Sequence, residues 1–139
     1  MQIKLTLNAP VDYLYQQLIR SARADIQQQT GAAAPKQSLQ GYRYEKKWGN
    51  GVTGNMTITH ADPGVRYAYE LKTPSDQYVV DYQFAKGGDH QTIIEYAESF
   101  MGKDKRTQAN NRVGMFLMGW FRKRRFKKMM TKMAATYYE

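Results

Sequence analysis

Between residues 42 and 100, large apolar side chains fall on alternate positions in five consecutive runs, each separated from the next by turn-forming residues. Tyr42, Tyr44, Lys46 and Trp48 share one side of the first run, opposite Arg43, Glu45 and Lys47. Gly49-Asn50-Gly51 leads into Val52, Gly54, Met56, Ile58 and His60, and Asp62-Pro63-Gly64 leads into Val65, Tyr67, Tyr69 and Leu71. Pro74-Ser75-Asp76 precedes Tyr78, Val80, Tyr82 and Phe84, and Lys86-Gly87-Gly88-Asp89 precedes Thr92, Ile94, Tyr96, Glu98 and Phe100. A period of two is the repeat of a strand with one face buried, and the breaks carry hairpin chemistry. Gln2 to Leu7, with Ile3, Leu5 and Leu7 on one side, adds another strand. The expectation is an antiparallel meander of about six strands whose strongly aromatic face must be covered.

Two helical regions are available to cover it. Asn8 can cap the first, with Pro10 in its opening turn, and Val11, Leu14, Leu18, Ala22 and Ile26 recur at helical spacing before Thr30-Gly31 stops it. This reads as a short helical region, broken near Ser21. The segment 31–40 has no periodicity and connects across the surface. Residues 104–137 read as a long closing helix. Phe126, Met129, Met130, Met133 and Tyr137 form the side expected against the sheet, continuing back to Met115, Met118 and Gly119. Val113, Phe116, Leu117, Trp120 and Phe121 form a second stripe, which runs on into Arg124, Lys127 and Lys128. The class is therefore α+β, with helices on one side of a sheet.

Of 21 Lys and Arg and 12 Asp and Glu in 139 residues, the segment 103–139 holds 11 basic and 2 acidic groups, which accounts for the whole formal charge of +9. Such asymmetry implies an anionic partner or a solvated basic helix. With no cysteine, disulfides and thiolate metal sites are excluded. The first residues lack a signal-peptide pattern and no apolar run approaches a membrane span, so a soluble cytoplasmic protein is expected. The length fits one domain.

The order strand, helical region, meander, long C-terminal helix resembles the helix-grip fold of START-like (SRPBCC, birch-pollen-allergen-type) proteins, whose last helix lies across the concave face of a curved sheet and encloses a cavity. The segments GWFRKRRFKKMM and QGYRYEKKW, with an early helix ending in QTG, resemble a small family from Gram-positive bacteria described only as a domain of unknown function. The resemblance covers nearly the full length and implies one helix-grip domain over 1–139. It carries no catalytic residue across. The superfamily it implies includes lipid carriers, hormone receptors, cyclases and chaperone-associated domains, and a fold does not choose among them.

Gly49 to Gly54 matches the dinucleotide pattern GxGxxG, but that pattern needs a following helix and the next residues alternate as a strand. Asn55-Met56-Thr57 is a glycosylation sequon without a secretory route. His60 and His90 have no partner at metal-ligand spacing, and the serines lie in no nucleophile motif, so no metal, cofactor or nucleophilic catalysis is expected. Alternation puts His60 on the inner face. It also puts Lys46 and Glu98 there, among aromatics, where a charge is costly unless paired or beside water or a polar ligand head. Many tyrosyl hydroxyls on one face likewise need partners.

These patterns lead to a noncatalytic domain binding a small apolar or amphipathic ligand between sheet and closing helix. The expected lining is Tyr44, Lys46, Trp48, Met56, His60, Tyr67, Tyr69, Tyr78, Tyr82, Tyr96, Glu98, Phe116 and Trp120. An alternative is an interaction module in which the apolar stripe and the basic residues Arg122, Arg124, Arg125, Lys127 and Lys128 grip a partner. An anionic membrane surface or an acidic protein suits that face better than nucleic acid. A homodimer through the closing helix is compatible with it. A third reading is a small-molecule enzyme of cyclase or hydrolase type, with Glu98 and a tyrosine as acid and base.

Overall fold

A computed structural model describes residues 2–47, 51–102 and 122–139. Six strands, β1 (Gln2–Leu7), β2 (Arg43–Lys47), β3 (Thr53–Asp62), β4 (Arg66–Lys72), β5 (Asp76–Lys86) and β6 (Thr92–Gly102), form one antiparallel sheet in the order β1-β6-β5-β4-β3-β2. Strands β2 to β6 follow the chain as a meander because short turns join them. Strand β1 returns to the far side of β6, with Ile3 opposite Tyr96 and Leu5 opposite Ile94. At the β3–β4 turn the Val65 N–H donates to the Asp62 carbonyl at 3.0 Å, and Gly64 takes the positive φ of 71° that this turn requires. Gly54 is needed for a different reason. A Cβ there would stand 3.0 Å from the Lys72 carbonyl oxygen and 3.1 Å from Leu71 Cδ1. The GxGxxG segment thus ends in strand β3, with no helix after it for a pyrophosphate.

Helix α1 (Val11–Thr30) spans the expected stretch up to the Thr30-Gly31 stop but is continuous through Ser21, where a break was expected. Its buried stripe of Leu14, Tyr15, Leu18, Ile19, Ala22 and Ile26 runs the whole length, whereas Ser21 is on the exposed side and interrupts no packing. Pro10 occupies the N-cap position with extended backbone, and Asn8 does not cap; its side-chain oxygen accepts from Gln91 Nε2 at 3.1 Å. Gly31, at φ 74°, ends the helix by donating to the Gln27 carbonyl. The connection to β2 is held by the Arg23 guanidinium, which donates to the carbonyls of Pro35 and Gln37.

Residues 122–135 are helical, here α2, and a 3₁₀ turn (Thr136–Tyr138) follows. The buried ridge of α2 is Phe126, Met130 and Ala134, at i, i+4, i+8, with Met133 half-buried. Met129 and Tyr137, expected on that side, are 46% and 37% exposed. The small Ala134 lets the helix seat along this ridge, and Met129 rolls to the flank. The inner-face strand residues, α1 and α2 share one core, in the helix-grip arrangement of helices on one face of the sheet. No helix among the described residues is long and apolar enough to cross a membrane.

One element departs from strict alternation. Strand β3 carries a bulge between Ile58 and His60, so Ala61, not His60, stands opposite Tyr67 on the inner face. The Ala61 N–H is satisfied by the Gln40 side chain at 3.1 Å. His60 is turned to the outer face opposite Ala68, with Nε2 3.3 Å from Arg66, which pairs with Asp81 at 2.7 Å. It is thereby removed from the expected lining.

Candidate ligand site

Three central strands bring the inner aromatic residues into register as rows. Tyr67, Tyr82 and Tyr96 form one row and Leu71, Tyr78 and Phe100 another, while Tyr69, Val80 and Glu98 lie between them. The first row is filled by rings: Tyr67 and Tyr82 lie 5.8 Å apart, Tyr82 and Tyr96 5.0 Å, and Phe126 of α2 stacks on Tyr96 at 4.1 Å. The middle row has only the short Val80 at its centre, and space remains above it. A cavity of about 460 Å³ opens there, lined by Val52, Tyr69, Leu71, Thr73, Tyr78, Val80, Tyr96, Glu98 and Arg122.

Glu98 is the acidic group of this cavity. Its side chain is 12% exposed; one oxygen accepts from the Tyr96 hydroxyl at 2.8 Å and the other pairs with the Arg122 guanidinium. Arg122 also lies over the Tyr78 ring at 5.9 Å. The Tyr78 hydroxyl, and then the charge of Glu98, raise its pKa further. Arg122, expected among the outward basic residues, therefore faces inward. The start of the described helix points at the sheet, and a guanidinium can reach along an aromatic ring to a carboxylate.

Lys46 and Glu98 were expected to share the cavity, but the structure separates them. Lys46 and Tyr44 lie under α1, where Asp25 Oδ2 accepts from the Tyr44 hydroxyl at 2.6 Å and from Lys46 Nζ at 3.3 Å. Sequence reasoning missed Asp25, although its position three residues after Ala22 and seven after Leu18 puts a carboxylate on the buried stripe, where an inward lysine could meet it. Met56, 6% exposed, is core, and so are Tyr67 and Tyr82. Tyr69, Tyr78, Tyr96 and Glu98 are brought together. Leu71 and Val80, inner by alternation, are set beside them by strand register, and Thr73 joins from just past the end of β4. Trp48, Phe116 and Trp120, with the rest of the second apolar stripe, lie outside the described residues. Arg124, Arg125, Lys127 and Lys128 are exposed on α2.

Burial governs the chemistry of the inner tyrosines. It pushes the Tyr69 hydroxyl up to about 12, helped by the charge of Glu98. It raises Tyr67 and Tyr82 further, Tyr96 further still with its hydrogen bond to Glu98, and Tyr44 with its bond to Asp25. At neutral pH these groups are protonated donors and poor bases. No described residue hydrogen-bonds the hydroxyls of Tyr67, Tyr69 and Tyr82. Of these three, Tyr69 lines the cavity, and Tyr67 and Tyr82 are buried in the core beside it. No cluster of described residues could hold a metal.

Removing the Glu98 charge should be felt. Glu98→Gln leaves Arg122 without its ion partner and should cost about 1–3 kcal/mol, tempered by the partial exposure of Arg122. Glu95→Gln, at an outer pair with Lys4 that is 3.9 Å long and mostly exposed, should cost under about 0.5 kcal/mol. Urea denaturation of both variants checks this, and equal near-zero effects would put Glu98 in solvent.

A model of a domain of unknown function, DUF3284, matches residues 1–119. No curated protein matches the chain. Among solved structures it is similar to protein MLL2253 from Mesorhizobium loti, with a TM-score of 0.62 and 14% identity over 98% of each chain. It is similar also to SA2116 from Staphylococcus aureus, a protein of unknown function, with a TM-score of 0.59 and 13% identity over 99% of this chain and 95% of that one. DynU16, encoded in the dynemicin biosynthetic locus, aligns with a TM-score of 0.51 and 16% identity over 84% of this chain; the match spans 42% of DynU16. At such identities the likeness is one of fold.

Proposed function

The chain belongs to the DUF3284 family of domains of unknown function, and from that premise we propose that it binds a small, largely apolar ligand bearing oxygen acceptors, without transforming it. The observation that carries this reading is the cavity over Val80, walled by Tyr69, Leu71, Tyr78 and Tyr96 and lined also by the Glu98–Arg122 pair. Its volume suits a small organic molecule. Its pair of opposite charges is balanced internally, which favours a neutral ligand over an ion. The Tyr69 hydroxyl, with no partner among the described residues, offers a donor in the cavity, and a carbonyl or ether oxygen would accept from it. Noncatalytic binding is supported by the state of the candidate acid and base: both oxygens of Glu98 are occupied, and the hydroxyls beside it hold their protons well above neutral pH.

Native mass spectrometry of the protein purified from its own host tests the reading. The wild type should carry a small molecule that leaves on gas-phase activation. Leu71→Trp, which puts an indole at the half-buried rim of the cavity, should lose it while keeping the fold. A bare wild-type mass, together with no thermal stabilisation by neutral apolar probes, would overturn the proposal.

A further inference from the structure

We propose that the outer face of α2 docks on anionic phospholipid bilayers. Residues 122–135 include seven Lys or Arg and no Asp or Glu. Arg122 is spent on Glu98, but Lys123, Arg124, Arg125, Lys127, Lys128 and Lys132 are exposed. Lys123, Arg125, Lys127, Lys128 and Lys132 form no ion pair with any described residue, so their charge is uncompensated. Helical spacing puts Arg125, Lys128 and Lys132 in one stripe on the side away from Phe126 and Met130, about 10 Å long. Met129, 46% exposed, borders the stripe, and Tyr138, 64% exposed, stands beyond its end.

An acidic polymer or a bilayer complements such a stripe, and its composition favours the bilayer. Proteins that track a nucleic-acid backbone set hydrogen-bonding side chains or stacking rings beside their basic groups. Within 122–135 the exposed uncharged residues are Met129, Thr131 and Ala135, which supply no ring and a single hydroxyl. Lysine and arginine lay their methylene stems along an apolar surface while their heads stay in the headgroup layer, and an exposed methionine can enter the acyl boundary. Each basic group near an anionic surface adds attraction that salt screens. The cavity is not required for this docking, so the two proposals fail separately.

Cosedimentation of the full chain with phosphatidylcholine vesicles, with and without phosphatidylglycerol, tests it, alongside titration with duplex DNA. The wild type should bind the anionic vesicles and not the neutral ones, and raised salt should weaken the binding. Arg125→Glu/Lys128→Glu/Lys132→Glu should lose affinity on the order of 100-fold or more. Lys36→Glu/Arg43→Glu/Lys86→Glu removes the same charge from exposed sites elsewhere and should lose far less. Circular dichroism establishes that both variants fold; if the helix variant does not, Lys128→Glu against Lys86→Glu should still differ about tenfold. Equal losses in the two sets, undiminished binding by the helix variant, no wild-type binding at low salt, or tighter binding to DNA than to vesicles would each overturn the proposal.

Discussion

Raising the pH past 10 should unfold the protein in one cooperative step, with the inner tyrosines ionising only as the fold is lost. Tyr44, Tyr67, Tyr69, Tyr82 and Tyr96 all have folded pKa values above the ordinary 10.0, chiefly because burial penalises the phenolate. Above pH 10 the unfolded chain releases protons that the folded state retains. Stability is therefore complete below pH 10 and falls as the pH rises towards the folded values. Each such tyrosine contributes a slope of about 1.4 kcal/mol per pH unit, and five together about 7. A domain of ordinary stability, about 5–15 kcal/mol, would exhaust it within about one to two pH units. Tyrosinate absorbance and far-ultraviolet circular dichroism, followed in one titration, should change together. If the inner tyrosines titrate near 10 while the dichroism holds, the inner face is hydrated and the burial argument fails. Tyr67→Phe/Tyr82→Phe should flatten the slope by about 3 kcal/mol per pH unit.

Phe126→Ala should cost about 3–5 kcal/mol. Phe126 is 7% exposed, stacks on Tyr96 at 4.1 Å and meets Tyr82 at 6.0 Å, so its removal leaves a hole where α2 is held to the sheet. Tyr82→Ala should cost a similar amount, because that ring contacts Tyr67, Phe84, Tyr96 and Phe126. The two losses should not add, since both changes empty the same contact. Met129→Ala, on the exposed flank of the same helix, serves as the control at under about 1 kcal/mol. A loss below about 1 kcal/mol for both ring truncations in urea denaturation would mean that α2 seats on another face.

The alternating runs, the turn residues between them and the stripe of α1 are all consequences of local backbone geometry, so they can be read along the chain. Read from the chain alone were the six strands, five of them in meander order, the aromatic inner face, the first helix with its glycine stop, and the helical character of the basic segment 122–135. Features that depend on how separate elements meet could not be read that way. The bulge after Ile58 adds one residue that alternation cannot count, and its free N–H is satisfied by Gln40, which reaches it from outside the strand; His60 changes face as a result. The rotation of α2 about its own axis is set by the surface it lands on, which is why Arg122 turns in to Glu98 and Met129 turns out. Lys46 found its partner in Asp25, twenty-one residues earlier, while Glu98 in the cavity pairs with Arg122 and accepts from Tyr96. The cavity itself exists because the register of three strands sets the short Val80 between Tyr69 and Glu98, a juxtaposition that only tertiary pairing creates.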